Sequence, residues 1–171
     1  IIETDRLYMR ELQQTDVDGM FELDSNAAVH QFLGNNPIKS KEEAAKVIDF
    51  VRKQYEDLGI GRWAVVLKET DEFIGWSGLK FEREVRKEFD YYDLGYRLKE
   101  KFWGHGFATE AAIASLHYGF NDLKLKEICA AAYARHTVSN IILKKIGLKP
   151  SGTFTYDNEL CNWYTLQNPT P

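Results

Sequence analysis

The hydrophobic pattern changes its period at Arg62, and this change restricts the possible folds more than any other feature of the sequence. Before it, Ser40 and Glu43 form a capping box, and apolar residues recur at helical spacing at positions 44, 47, 48, 51, 55 and 58. After it, apolar and polar residues alternate over Arg62–Lys68 and Phe73–Phe81, which predicts an antiparallel hairpin. A long helix followed by an antiparallel run indicates a sheet that is not built from parallel strands alone.

The rest of the chain predicts further helices and strands in a definite order. They are a strand at Leu7–Glu11, a helix that starts near Thr15 or Asp16, a strand at Tyr91–Leu98, a helix at Ala108–Phe120, a strand at Glu127–Ala134, a helix at Ser139–Ile146, and strands at Leu148–Tyr156 and Leu160–Gln167. This order predicts an α/β (α+β) fold with one mixed, mostly antiparallel sheet of six to seven strands and helices on both faces. The length of 171 residues fits a single domain over 1–171.

Composition excludes several classes of function. The formal net charge is −4, which does not support a nucleic-acid partner, and no apolar run approaches the ~20 residues that span a membrane. The first residues do not read as a secretion signal, so a cytoplasmic location is the default expectation. Cys129 and Cys161 lie outside any metal-binding spacing and are predicted to be small core residues, so no metal is expected.

The segment that carries chemistry is a glycine-rich turn between a strand that ends near Leu98 and the next helix. Gly104 and Gly106 allow a tight turn whose N–H groups converge beside the positive end of that helix, and Thr109 can add a hydroxyl. Such a turn suits a pyrophosphate, although a plain strand-to-helix connection has the same spacing. A dinucleotide fingerprint would need a third small residue at Thr109, and a P-loop would need Gly-Lys-Ser/Thr after the glycines.

Three segments together resemble the GNAT family of N-acetyltransferases. The segment 101–111, Lys-Phe-Trp-Gly-His-Gly-Phe-Ala-Thr-Glu-Ala, resembles the acetyl-CoA motif of that family, and its wording is similar to the RimJ/RimL ribosomal-protein branch. The segment 4–10 resembles the opening strand of that branch, and 139–152 resembles its late helix and following strand. The resemblance implies transfer of an acetyl group from acetyl-CoA to a primary amine by direct attack. The acceptor would be a protein N-terminus or a small-molecule amine, and the protein a monomer or homodimer.

The resemblance also implies where the coenzyme lies. In this family the strand corresponding to Asp93–Leu98 splays from its neighbour, Glu127–Ala134, and pantetheine lies in the gap. The implied coenzyme contacts are Tyr96, Arg97, Leu98, Lys101, Trp103, Gly104, His105, Gly106, Phe107, Ala108, Thr109, His136 and Asn140. Two positions depart from the family pattern: Lys101 replaces the usual Gln or Arg, and His136 stands where an Asn is usual.

Three residues are candidates for proton transfer. Asp93 is the first candidate for the general base, with a half-exposed surface carboxylate as the alternative; Glu82 is the second, or simply one charge of the loop that follows it. Leu143 occupies the position where many members place a tyrosine general acid, and in the Rim-like branch a serine at the position of Ser139 is the suggested substitute. The alternative for Ser139 is a plain N-cap. His30 shows no partner in the sequence.

Two other functions remain compatible with the sequence. One is a catalytically inactive module of the same fold that binds coenzyme A as a sensor, which the departures at His136 and Leu143 would suit. The other is a nucleotide-binding domain that uses the same anion site. Release of thiol from acetyl-CoA in the presence of amines separates an enzyme from both.

Overall fold

The computed structural model describes residues 1–170, and its eight strands form one sheet. The strands are β1 (Ile2–Glu3), β2 (Leu7–Glu11), β3 (Arg62–Leu67), β4 (Glu72–Glu82), β5 (Tyr91–Leu98), β6 (Glu127–Tyr133), β7 (Lys149–Tyr156) and β8 (Glu159–Gln167). The helices are α1 (Val17–Asp24), α2 (Lys41–Leu58), α3 (Phe107–His117) and α4 (Thr137–Lys145). Short 3₁₀ turns lie at Gln14–Asp16, Val29–Phe32 and Glu100–Phe102, and a π-type turn at Tyr118–Asp122 follows α3.

The sheet is mixed and mostly antiparallel, as predicted. Its strand order is β1-β2-β3-β4-β5-β6-β8-β7, and β5 with β6 is the parallel pair. The count of eight exceeds the prediction of six to seven because Ile2 and Glu3 pair with Met9 and Tyr8. A strand of two residues is too short to show a period of two, so the sequence pattern could not indicate it.

Helices cover both faces of the sheet. On one face, α1 and α2 pack on alternate residues of the early strands, in a core that includes Met20, Ile48 and Ala64. On the other face, α3 and α4 pack on the opposite set, in cores that include Leu116 and Leu143. This arrangement confirms the predicted fold class, and it leaves β5 and β6 in the middle of the sheet, near the ends of α3 and α4.

The caps of α2 explain its bounds. Ser40 accepts a hydrogen bond from the Glu43 N–H at 3.2 Å, and Gly59 ends α2 in the left-handed conformation, with φ of 70°. The predicted start of α4 is wrong, because the helix begins at Thr137 and Ser139 is its third residue. Ser139 is therefore not the N-cap, and its hydroxyl is free for another role.

The two cysteines are buried with free thiols, as predicted for small core residues. Cys129 lies on β6 and Cys161 on β8, where both side chains face the interior. Within residues 1–170, no helix combines the length and the apolar character needed to cross a membrane.

Candidate active site

The two central strands part after a single point of pairing. Asp93 of β5 lies opposite Cys129 of β6, and no further pair of Cα partners joins these strands in the described chain. Beyond this point β6 pairs only with β8. A cavity of about 460 Å³ opens there, lined by Asp93–Arg97 on one side and Ala131–Tyr133 on the other. The predicted separation of the two strands is thus confirmed.

The cavity brings together six of the candidate residues. They are Glu82, Asp93, Tyr96, Arg97, His136 and Ser139, which come from β4, β5, the turn before α4, and α4 itself. The His136 ring stacks on Phe32 with 4.1 Å between ring centroids, and burial lowers its pKa, so the imidazole is neutral near pH 7. The remaining candidates lie outside the cavity lining.

The glycine turn presents unpaired backbone donors at the start of α3. Gly104 and Gly106 have φ of 77° and 82°, a conformation that strongly favours glycine. No side chain of residues 1–170 caps α3, whose first residue is Phe107. A Cβ atom at Gly104 would meet nothing within 4 Å, so the turn faces open space. Free N–H groups at a helix N-terminus beside open space are suited to a phosphate or another anion.

A half-buried carboxylate fixes this turn to the N-terminal hairpin. Glu110 accepts hydrogen bonds from Thr4 Oγ1 at 2.5 Å and Arg6 Nε at 2.8 Å, and Arg6 Nη1 donates to the His105 carbonyl oxygen at 2.9 Å. Burial acts to raise the pKa of Glu110, but the bonds from Thr4 and Arg6 hold it below its usual range. The sequence did not predict this contact, because its partners lie more than 100 residues apart.

Two hydroxyl groups meet where the strands part. The Tyr96 hydroxyl lies 3.0 Å from Ser139 Oγ, and both side chains line the cavity. Burial raises the pKa of Tyr96 to about 12, so its hydroxyl keeps its proton at neutral pH. Leu143 is 2% exposed and packs in the core, so the helix offers no tyrosine there. The hydroxyl groups of a serine on α4 and a tyrosine on β5 therefore lie within hydrogen-bond distance in the cavity, where either could give up a proton.

Asp93 is not a surface carboxylate, so that alternative is wrong. Its side chain is 17% exposed, and Arg62 Nη2 donates to its Oδ2 at 2.6 Å. Burial raises the pKa of Asp93, while the Arg62 guanidinium acts to lower it. Glu82 is also buried, accepts the N–H groups that follow it in the chain, and pairs with Lys80. Both carboxylates therefore already face a cation.

The Arg62 side chain crosses the surface of the sheet to Asp93, over two glycines that leave room for it. Arg62 of β3 lies opposite Gly78 of β4, which in turn lies opposite Gly95 of β5. A Cβ atom at Gly95 would lie 3.0 Å from the Arg62 Cζ, so a larger residue there would displace the guanidinium. The alignment of two glycines across three strands explains how this side chain can lie flat on the sheet, and the sequence reading missed it.

A second arginine belongs to a buried cluster. Arg97 Nη1 donates to Asp24 Oδ1 at 2.7 Å, and His30 Nε2 lies 3.2 Å from the same oxygen. His30 is therefore not without a partner, contrary to the sequence interpretation. The Cζ atoms of Arg62 and Arg97 lie 5.2 and 5.1 Å from the ring centroid of Trp76. Trp76 also lines the cavity.

Three of the implied coenzyme contacts, Leu98, Lys101 and Trp103, have other partners. The Leu98 side chain is buried in the core, and its carbonyl accepts a bond from Trp103 Nε1 at 2.9 Å. Lys101 pairs with Glu72 at 2.9 Å and with Glu22 at 3.4 Å. These side chains are engaged in contacts within the protein just before the glycine turn. We therefore expect the backbone of this segment, and not its side chains, to contact a ligand.

Asn140 has no polar atom left for a ligand, so its predicted contact with the coenzyme is wrong. Its Nδ2 donates to the carbonyl oxygens of Tyr133 and His136, and its Oδ1 accepts from Asn162 and Tyr164. These bonds use the full capacity of the amide. Asn140 ties α4 to β6 and β8.

We expect Asn140→Ala to lower the free energy of unfolding by about 2–4 kcal/mol, because buried donors and acceptors lose their partners. The affinity for acetyl-CoA should change by less than about threefold, roughly 0.6 kcal/mol. Denaturant titration and calorimetric titration measure the two quantities. Asn162→Ala removes one donor of the set and should cost only about 1 kcal/mol. A loss of acetyl-CoA affinity in Asn140→Ala without a loss of stability would contradict the structural role.

Comparison with known proteins decides the family. Residues 6–149 match the family model described as the acetyltransferase (GNAT) domain. The chain belongs to the GNAT acetyltransferase family. The matched range contains both the glycine turn and the parted strands, so the two features that define the candidate site lie within the family domain.

The sequence and structural similarities to relatives of this GNAT protein extend over nearly the whole chain. The uncharacterized N-acetyltransferase YoaA of Bacillus subtilis is 29% identical over 171 residues, which cover 100% of this chain and 91% of that protein. The structure of RimL, the ribosomal L7/L12 α-N-protein acetyltransferase, in complex with coenzyme A has a TM-score of 0.83 at 17% identity, covering 100% and 99% of the two chains. The spermidine N-acetyltransferase of Vibrio cholerae, in complex with coenzyme A and spermine, has a TM-score of 0.77 at 18% identity, covering 96% and 97%. The two structural likenesses show the shared fold.

The residues of this GNAT protein suit the coenzyme that the family uses, acetyl-CoA. The uncapped start of α3 and the open space at Gly104 offer donors to a diphosphate, and the gap between β5 and β6 has room for an extended chain. Among residues 1–170, no three His, Cys, Asp or Glu side chains are grouped so that they could hold a metal ion.

Proposed function

We propose that this GNAT protein transfers the acetyl group of acetyl-CoA directly to a primary amine. The observation that carries the proposal is the cavity between β5 and β6, which begins where pairing ends at Asp93. Ionisable side chains lie along its walls, and the glycine turn that would hold the diphosphate lies outside its lining, at the start of α3. Acetyl-CoA would supply an acetyl group that is already activated as a thioester.

The backbone of the glycine turn would hold the diphosphate. No side chain of residues 1–170 caps α3, the space around Gly104 is open, and the N–H groups from Gly104 to Thr109 would donate to the diphosphate at the positive end of the α3 dipole. The backbone of β5 at Tyr96 and Arg97, whose N–H and C=O groups alternate between β4 and the gap, would orient the pantetheine arm, and His136 would donate one hydrogen bond from a neutral imidazole. We assign no coenzyme contact to the Asn140 side chain.

The proton donor and the proton acceptor would lie on opposite faces of β5. Asp93 and Tyr96 are three residues apart on one strand, so their side chains point to opposite sides of the sheet. As the new C–N bond forms and the C–S bond breaks, Asp93 would accept the proton that the amine nitrogen loses. The pair Tyr96–Ser139 would supply the proton that the departing sulfur takes, and water would restore it.

We expect Asp93→Asn to lower kcat/KM by about 100-fold, and Arg62→Met to move the acid limb of the pH profile to higher pH. A base works only when ionised, and the Arg62 charge opposes the burial that raises the pKa of Asp93. Without Arg62 this pKa rises further, so activity is lost at a higher pH as the solution is acidified. Initial rates from pH 6 to 9 measure the effect.

The matched control is Arg10→Met, which removes a similar pair, Arg10 Nη2–Asp16 Oδ1 at 2.8 Å, away from the cavity. Its acid limb should coincide with that of the parent protein. Full activity of Asp93→Asn across this pH range, or an unmoved limb in Arg62→Met, would exclude Asp93 as the base.

The experiment that tests the proposed function is an assay of acetyl-CoA with a panel of primary amines. We expect release of free thiol that depends on the amine, with a matching acetylated product by mass spectrometry. Stabilisation by acetyl-CoA without any acetylated product would instead indicate an inactive coenzyme-binding module. Stabilisation by NAD or ATP, but not by acetyl-CoA, would indicate a nucleotide-binding domain.

The branch of the family, the kind of acceptor and the cellular location are also proposals. Likeness to RimL supports a place near the RimJ/RimL branch and a protein N-terminus as acceptor, whereas likeness to the spermidine enzyme supports a small-molecule amine. Free buried thiols at Cys129 and Cys161 suit a reducing compartment, which supports a cytoplasmic location.

A further inference from the structure

One face of β5 forms the floor of the cavity on the side of α1 and α2. Asp93, Gly95 and Arg97 alternate along this face, and the Arg62 guanidinium lies over Gly95. The floor therefore presents one carboxylate and then two guanidinium groups in a row. Arg62 and Arg97 both contact the Trp76 ring, so the two cations share one aromatic wall.

Arg97 has hydrogen-bond donors to spare. A guanidinium has five N–H donors. Within residues 1–170 that of Arg97 makes one hydrogen bond, from Nη1 to Asp24, and its Nε is buried without a partner, so the donors left for a ligand are those of Nη1 and Nη2. The Arg97 side chain is 24% exposed and lines the cavity, whereas Asp24 is almost fully buried behind it. A ligand in the cavity can therefore reach Arg97 without displacing Asp24.

The acidic groups of the cavity offer less to a ligand. Asp93 is paired with Arg62 at 2.6 Å, and Glu82 with Lys80 at 3.2 Å. Asp157 lines the rim and has no cation partner among residues 1–170, but it is exposed at the turn between β7 and β8, where water screens its charge. The hydrogen-bonding capacity that is left in the interior of the cavity thus belongs to a donor, the Arg97 guanidinium.

We propose that the acceptor amine carries a carboxylate and that Arg97 binds this carboxylate. The planar guanidinium can pair with two carboxylate oxygens, which fixes the acceptor while its amine faces the parted strands. A polyamine would instead bring a second ammonium group toward Arg97, and a guanidinium has no acceptor for its N–H groups. This inference rests on the proposed function and names the substrate class of the same site.

The kinetic test compares ω-amino acids with simple amines of the same chain length, such as 6-aminohexanoate with hexylamine, and with spermidine and aminoalkyl phosphates. We expect kcat/KM to be at least about tenfold higher for the carboxylate series. The readout is the ratio of kcat/KM for 6-aminohexanoate to that for hexylamine within each variant, so a change in overall rate does not affect it. Arg97→Gln should bring this ratio close to one, and Arg97→Lys should keep part of the preference. Preference for spermidine or for the phosphates, or an unchanged preference in Arg97→Gln, would overturn the proposal.

A binding test keeps this inference separate from the proposed function. The protein saturated with coenzyme A is titrated with N-acetyl-6-aminohexanoate and with N-hexylacetamide, neither of which needs to react. We expect the carboxylate to bind about tenfold more tightly to the parent protein and no more tightly to Arg97→Gln. If no amine is acetylated, the proposed function fails, and this titration still decides the role of Arg97. Equal binding of the two compounds to the parent protein would overturn the proposal that Arg97 binds a carboxylate of the acceptor.

The control for both tests is Arg135→Gln. Arg135 is also paired with a carboxylate, Glu159 at 2.9 Å, but it is 47% exposed and does not line the cavity. The preference for the carboxylate series should persist in this variant. Melting curves of every variant show whether it is folded, and Arg97→Lys retains the charge if Arg97→Gln proves unstable.

Discussion

Replacing Gly106 by glutamate is expected to weaken acetyl-CoA binding by at least about 100-fold, or about 3 kcal/mol. Gly106 precedes α3 with φ of 82°, and a new carboxylate there would lie beside the N–H groups proposed to hold the diphosphate. A Cβ atom at this position would also lie 3.3 Å from Arg6 Nη2, which helps to fix the turn. Calorimetric titration with acetyl-CoA measures the loss.

The matched control for this substitution is Gly147→Glu. Gly147 follows α4 with φ of 109° and has open space around its Cα, so the same change introduces similar backbone strain and the same charge away from the turn. Both variants should lose about 1–2 kcal/mol of stability through that strain. Only Gly106→Glu should lose coenzyme affinity, and equal affinity in the two variants would contradict the anion site.

Removing either hydroxyl of the Tyr96–Ser139 pair is expected to lower kcat by about 100-fold, because general acid catalysis contributes on that scale. The two oxygens lie 3.0 Å apart, so one proton source would be interrupted by either change. Tyr96→Phe and Ser139→Ala should therefore be strongly non-additive, and the double variant should be little slower than either single variant. The KM for acetyl-CoA should change little.

The control for the hydroxyl pair is Ser115→Ala. Ser115 also carries a buried hydroxyl within reach of another, Ser77 Oγ at 3.3 Å, but neither lines the cavity. Its kcat should stay near that of the parent protein. If the loss of kcat in the Tyr96→Phe, Ser139→Ala double variant equals the product of the two single losses, the two hydroxyls do not share one proton source. An unchanged kcat in both single variants would exclude the pair as the proton donor.

The sequence predicted the elements well because their signals are local. Helix α2 carries its own cap at Ser40 and its own stop at Gly59, and the alternating strands need no distant partner to be recognised. The same holds for the glycine turn, whose positive φ values follow from Gly104 and Gly106. By contrast, β1 has two residues and depends wholly on pairing with β2.

Much of the site could not be predicted, because its chemistry depends on contacts between distant segments. The sequence placed Asp93 and Arg97 on one predicted strand, but no local pattern shows that Arg62 crosses the sheet to Asp93 or that Arg97 pairs with Asp24. Asn140 shows the opposite error. Its position suggested a ligand contact, whereas four hydrogen bonds inside the fold use its amide.

The most direct test of the central claim is a crystal structure of the protein in complex with acetyl-CoA. We expect the diphosphate to lie against the N–H groups of Gly104–Thr109, and the pantetheine arm to run between β5 and β6 toward Asp93. A complex in which this turn contacts no phosphate, or in which β5 and β6 pair along their length, would contradict the account.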